Sequence, residues 1–194
     1  MSSSITAPLK TGHIRVAGSR RGPMRGIIIG RFQPYHLGHH NAIKNILNEV
    51  DEIVVVIGSS DNSYSEDNPF TAGERVEMIA ESLKAEMLYK KSFIVTVADV
   101  NENSLWTSRI MSYSPKFDVV YSNNPLVKQL FEKAGFKTKK MVSNVKDIDG
   151  VKIRKMMIEG NEWKKFVTPQ TAAFLEKIKA VERIKAILEK EEKE

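Results

Sequence analysis

The chain has 194 residues, 41% of them hydrophobic, enough for one well-cored domain with a small appendage. It has no cysteine, which excludes a disulfide framework, a thiolate metal site and a cysteine nucleophile. The net charge is +6, but Lys10, Arg15, Arg20 and Arg21 supply four of those charges within residues 1–23, where no acid stands, so a nucleic-acid-binding face is not expected.

Residues 1–23 are rich in Ser, Gly and basic residues, show no sustained period, and read as a flexible extension, native or an added tag, with Met24 an equal candidate for the natural start. No apolar run approaches the ~20 residues that a membrane span needs. From Met24 short apolar strands alternate with amphipathic helices. GIII (26–29) is a strand. Ala42, Ile43, Ile46, Leu47 and Val50 then recur at helical spacing. IVVVI (53–57) is continuous and β-branched, the pattern of a strand buried on both faces. A polar loop, GSSDNSYSEDNPF, leads to a helix over 71–88, where Thr71 and Glu74 fit a capping box. FIVTV (93–97), a helix over 104–113, and DVVY (118–121) follow. NPLVKQLFEKAG (124–135) has proline in its first turn and glycine past its end, and TKKMV (138–142) is a candidate fifth strand. Helical patterns resume over 150–159, and from Thr171 to Leu188 one apolar stripe runs through the tail. The alternation predicts an α/β fold with a parallel, doubly wound sheet. Residues 24–194 form a single domain in this reading, with 24–150 as sheet core and 151–194 as a helical C-terminal part.

In such a sheet, ligands sit beyond the carboxyl ends of the strands. The first strand ends at Gly30, and Arg31-Phe32-Gln33-Pro34 precedes a helix start that holds His36, Gly38 and His39. Unpaired amides and the positive end of the helix dipole favour an anion there. Gly38 lets a ligand or neighbouring backbone approach closely. His36 and His39, three apart, face one side and can donate to phosphate oxygens, most strongly when charged. His40 points elsewhere at this spacing. A zinc site would need further ligands that this stretch does not supply.

His36-Leu37-Gly38-His39 resembles the HxGH signature of the nucleotidylyltransferase superfamily, and the wider GRFQPYHLGHHNAI resembles the archaeal-type nicotinamide mononucleotide (NMN) adenylyltransferases. GSSDNSYSEDNPFTAGERVEMI (58–79), Asp99 with NENSLW (101–106), PKFDVVYSNNPLVKQLFEKAGF (115–136) and VERIK (181–185) extend the resemblance over nearly all of 24–190. It implies a Rossmann-like nucleotidylyltransferase fold and the reaction of ATP with NMN to give NAD and pyrophosphate. It implies in-line attack with no covalent intermediate. Arg31, His36, His39 and Arg154 would then be the catalytic set. Gly30, Phe32, Gln33 and Gly38 would join them around ATP, with Ser122, Asn123 and Asn124 at the adenine or ribose. Gly58, Ser59, Ser60, Arg75, Asp99, Asn103 and Trp106 would border NMN, the indole stacking on the pyridinium. Mg2+ would arrive on the phosphates, with no side-chain metal ligand.

The family pattern fails at three places. Val151 stands where a Ser/Thr-x-x-Arg element holds its hydroxyl, leaving backbone amides 150–153 to serve beside Arg154. Tyr64 stands where relatives often have histidine, and Asn123 where glycine is usual, asparagine being tolerant of left-handed angles. The resemblance further implies a cytoplasmic homo-oligomer, a hexamer. KMVSN (140–144) lacks the lysine of the aminoacyl-tRNA synthetase KMSKS loop, and the chain is too short for such an enzyme. The alternatives are another HxGH transferase, such as a phosphopantetheine adenylyltransferase, and a non-catalytic nucleotide-binding regulator.

Overall fold

The computed structural model describes residues 22–100, 102–145 and 147–191; the side chains of Asn103 and Ser104 lie outside that description, as does the expected extension up to residue 21. Five strands, β1 (Arg25–Gly30), β2 (Glu52–Ile57), β3 (Ser92–Thr96), β4 (Val119–Tyr121) and β5 (Lys137–Lys139), form one sheet in the order β3-β2-β1-β4-β5. All four pairings are parallel, as the β-α alternation predicts.

Pleating sends alternate residues of each strand to opposite faces. Ile28, Val55 and Tyr121, which are in register, join one buried cluster. Ile27, Val54 and Val120 join the other. The first cluster takes in α1 (Leu37–Leu47), α2 (Ala72–Ala85), α5 (Gly150–Glu159), α6 (Pro169–Lys177) and α7 (Ala180–Glu191), through residues such as Ile43, Ile79, Ile153, Leu175 and Ile184. The second takes in α3 (Asn103–Tyr113) and α4 (Pro125–Lys133), through Ile110 and Phe131. The sheet is therefore doubly wound, and β1 meets β4 where the winding reverses, the position that opens a crevice above the strand ends.

The capping box at Thr71 and Glu74 forms in both directions. The helix it starts ends at Ala85 rather than 88, because Met87 turns into the left-handed region and a 3-10 turn, Tyr89–Lys91, follows. The fifth strand is shorter than expected. Asn123 exchanges two hydrogen bonds with the main chain of Met141, drawing it away from the ladder. The apolar stripe of the tail is cut in two at Lys179, whose φ of 51° separates α6 from α7. These helices share the core of the sheet rather than hanging from it as an appendage.

Candidate active site

The turn after β1 is built from buried pieces. Phe32 takes a φ of 53°, and its ring lies against Gly30, where a Cβ would stand 3.2 Å from it. His36 caps α1 by accepting the amide of His39 on Nδ1 at 3.4 Å. Its ring folds over Gly38, where a Cβ would come within 2.9 Å of the imidazole. The protein neighbour that a side chain at 38 would meet first is thus the histidine ring itself. The His36 and His39 rings stack at 3.6 Å, and Phe32 meets His39 edge-on at 4.7 Å.

Burial lowers the pKa of His36 to about 4 and holds that of His39 well below its ordinary value, with the adjoining His36 ring adding to the second effect. Both are therefore neutral at pH 7, not the charged donors that would bind phosphate most strongly. Because His36 Nδ1 accepts a hydrogen bond, its proton is assigned to Nε2, which is left to donate. His39 Nδ1 is buried with no partner among the described residues, so Nε2 is its only nitrogen able to reach a ligand.

A cavity of about 210 Å³ opens at this turn and brings Arg31, His36, His39 and Arg154 to one wall-to-wall site. Larger hollows, of about 470 and 570 Å³, lie at the opposite ends of the strands around Asp118 and Asp51, and others of about 260 and 320 Å³ lie against α5; none of them is lined by a histidine. Chemistry rather than volume picks out the cavity at the turn. Arg154 is buried, and its Nη1 donates to the Gln33 carbonyl at 2.9 Å. Gly150 packs against that same carbonyl, where a Cβ would stand at 2.6 Å. Asp149 caps α5 by accepting the Lys152 amide, and the Ile153 amide bonds the Asp149 carbonyl. Of the four amides expected to face an anion, two are thus spent, and Gly150 and Val151 remain at the open end.

Several side chains expected at ligands are engaged by the protein's own backbone. Gln33 is buried, and its side chain clamps the main chain of Phe70 in both directions, at 2.9 and 3.0 Å. Arg75 is wholly buried; its guanidinium donates to the carbonyls of Thr71, Arg31, Gly58 and Ser59. Among the described residues no carboxylate forms an ion pair with it. It shapes the site without facing it. Asn123 does not take left-handed angles, and its amide is committed to Met141. Asn124 caps α4 through the Leu126 amide, while Ser122 Oγ accepts the Asn124 amide.

At the far side, Ser59 takes a φ of 48° and Gly58 donates to the Gly30 carbonyl, joining the ends of β1 and β2. Asp99 accepts from the Ser59 amide at 3.2 Å and from Asn62 at 3.4 Å, and Ser60 donates to the Val97 carbonyl. Trp106 is part-buried, edge-on to Phe131 at 5.8 Å. Helix α3 begins at Asn103 with Glu102 as its cap, so Asn103 does not cap it; its side chain lies outside the described residues. His40 sits away from the cavity as expected, buried between Tyr35 and Glu86 at 3.0 Å from each.

Residues 27–166 match the model of the cytidylyltransferase-like family. The chain is 46% identical over 169 residues to a nicotinamide-nucleotide adenylyltransferase of Archaeoglobus fulgidus, covering 84% of this chain and 97% of that protein. The chain belongs to the nicotinamide-nucleotide adenylyltransferase family. Its relative in Thermococcus onnurineus is 41% identical over 176 residues, covering 89% and 94% of the two chains. Among solved structures, a bifunctional NMN adenylyltransferase/ADP ribose pyrophosphatase of Francisella tularensis, complexed with AMP and a manganese ion, shares the fold. Its TM-score is 0.69 at 20% identity, over 86% of this chain and 52% of the other.

Within this adenylyltransferase fold three contributors were not apparent from the sequence. Gly150 sets the approach of α5 to the turn, and its signal was the Asp-Gly step before an amphipathic helix. Asp67 places one oxygen 3.3 Å from Arg154 and the other 3.8 Å from Arg31. Arg183 of α7 pairs with Glu74 and lies 5.0 Å over the Tyr64 ring.

The neutral imidazoles have a measurable consequence. The unfolded chain binds a proton on His36 near its ordinary pKa of 6.5, and the folded chain only near 4. Stability is therefore full above about pH 6.5 and falls as pH drops toward 4. For His36 alone the expected loss between pH 7.5 and pH 5 is about 2 kcal/mol. Urea unfolding at the two pH values reads it, and His36→Gln should remove the His36 share of the difference while the share from His39 persists. Carboxylates such as Glu74 and Glu86, whose pKa values are lowered, lose their contribution only at more acid pH.

Proposed function

We propose that this chain joins the adenylyl group of ATP to NMN, giving NAD and pyrophosphate, by direct attack of the NMN phosphate on the α-phosphorus. One observation carries the reading: two guanidiniums, two imidazoles and two open helix amides converge on one cavity at the end of β1. An oxygen of the NMN phosphate forms the new bond to the α-phosphorus as the bond to the β-phosphate oxygen breaks, and the electron pair leaves on pyrophosphate. Catalysis of this kind rests on positioning and on stabilising charge, and asks no side chain to form a covalent bond.

Arg31, Arg154 and the amides of Gly150 and Val151 bind the outer phosphates in this reading, and His36 and His39 donate toward the charge that develops as pyrophosphate departs. Ser122, Asn123 and Asn124 edge the adenine pocket through the β4–α4 turn, the last two through main-chain groups. Gly58, Ser59, Ser60, Asp99, Asn103 and Trp106 border NMN. The described residues hold no cluster of three His, Cys, Asp or Glu able to cage a metal. Mg2+ is carried by the phosphates in this reading, where it neutralises their charge. No described helix is long and apolar enough to cross a membrane. The reading adds a cytoplasmic site of action and a homo-oligomer, a hexamer by resemblance.

The test is product formation. With ATP and Mg2+, the protein should yield NAD from NMN, read by coupled reduction to NADH, and nothing from phosphopantetheine. Dephospho-coenzyme A without NAD would overturn the substrate; no product from either would overturn the enzyme.

A further inference from the structure

The loop between β2 and α2 is held at both ends. Ser59 is fixed by Asp99 and Arg75, and Phe70 by Gln33. Helix α7 steadies its later half, where Arg183 pairs with Glu74 through both terminal nitrogens, at 2.7 and 2.8 Å, and donates to the Pro69 carbonyl. Between these anchors Asp67 sets one carboxylate oxygen toward each of the two guanidiniums at the cavity, Arg154 and Arg31. Its side chain remains 68% exposed, so burial does not hold it there. Charge and the fixed loop ends do.

We propose that Asp67 is a specificity-determining residue that makes the site select metal-complexed nucleotide over bare nucleotide; this rests on the function proposed above. A bare polyphosphate brings only negative charge. It must take Arg31 and Arg154 from the carboxylate and then lie beside that carboxylate unpaired. A polyphosphate carrying a divalent cation presents positive charge to the same oxygens, so the contact changes sign. Magnesium is commonly bound by phosphates with one or two carboxylates rather than by a protein cage. The carboxylate that lines the cavity itself, Asp149, has an oxygen committed to the Lys152 amide at the cap of α5, whereas Asp67 stands beside the cavity, against its two guanidiniums. Asp67 has no such main-chain duty among the described residues. The lost hydroxyl at Val151 sharpens the competition, because fewer neutral donors are left to grip a bare phosphate.

The experiment is ATP binding to the full chain without NMN, so that nothing turns over. Dissociation constants are measured by calorimetry in Mg2+ and in EDTA at equal ionic strength, for the unaltered protein and for Asp67→Asn. The exchange is isosteric on an exposed loop, and an unchanged melting temperature verifies the fold. The unaltered protein should bind ATP more tightly with Mg2+. In Asp67→Asn the gap should narrow, with metal-free binding about five-fold tighter, the scale of two ion pairs made by one exposed carboxylate. Metal-free binding that is unchanged or weaker in the variant overturns the inference. An unaltered protein that binds ATP under neither condition overturns the functional reading and takes the inference with it.

Discussion

His39→Ala is expected to lower the rate of NAD formation by about 10²–10³-fold while the affinity for NMN changes little. The figure is that for removing one fixed donor aimed at charge that develops in a transition state. The geometry gives reasons to expect the upper part of that range. The His39 ring is confined between His36 at 3.6 Å and Phe32 at 4.7 Å, so its free nitrogen is aimed without further loss of freedom. Being neutral, it binds the ground-state polyphosphate less strongly than a cation would, and more of its interaction is reserved for the moment when charge accumulates on the departing pyrophosphate. His36 is a less clean target, because it also caps α1. Loss of that cap costs about 1 kcal/mol of stability on its own. Steady-state rates of His39→Ala at saturating ATP, with NMN affinity measured separately, decide the matter. A fall in turnover of less than about three-fold would remove the imidazole from the mechanism.

Local patterns carried well from sequence to structure. The strand, turn and helix around Gly30–His39 lie within a few residues of one another, so helical spacing alone placed both imidazoles together. The continuous apolar runs at 26–29 and 53–57 could only be buried strands, and they are the central pair of the sheet. What sequence could not distinguish was whether a polar side chain serves a ligand or the protein's own backbone. Gln33, Arg75, Asn123 and Asn124 are residue types suited to either task, and in each case a carbonyl or amide brought close by the fold has claimed the side chain. Asp67 shows the converse. One acid in an acidic loop carries no periodic signal, and its meaning comes from guanidiniums 36 residues before it and 87 after it in the chain. The break at Lys179 was equally silent, since neither glycine nor proline marks it.

Arg75→Met is expected to destabilise the protein by roughly 3–5 kcal/mol, a fall in melting temperature of roughly 10 °C or more for a chain of this size. The arginine is fully buried and its pKa is lowered to about 10, first by burial, so it stays charged at pH 7. Four carbonyls, on three different segments of the chain, accept from it, and those of Arg31 and Gly58 have no other donor among the described residues. Methionine fills part of the space but leaves the Arg31 and Gly58 oxygens without this donor, the costly half of breaking a hydrogen bond, while the Thr71 and Ser59 carbonyls keep the amides of residue 75 and Asn62. Lysine is no substitute. A point charge with three donors cannot reproduce the planar fork that reaches Arg31, Gly58 and Ser59 together, so Arg75→Lys should recover only a small part of the loss. The functional effect follows from the same bonds. With the Gly58–Ser59 turn and the Arg31 main chain released, the two sides of the site lose their fixed separation, and KM should rise for ATP and NMN alike. Were Arg75 instead a direct ligand contact, the variant would keep its melting temperature and lose affinity for one substrate only. Thermal unfolding together with the two KM values separates these outcomes, and a melting temperature within about 2 °C of the unaltered protein would return Arg75 to the binding surface.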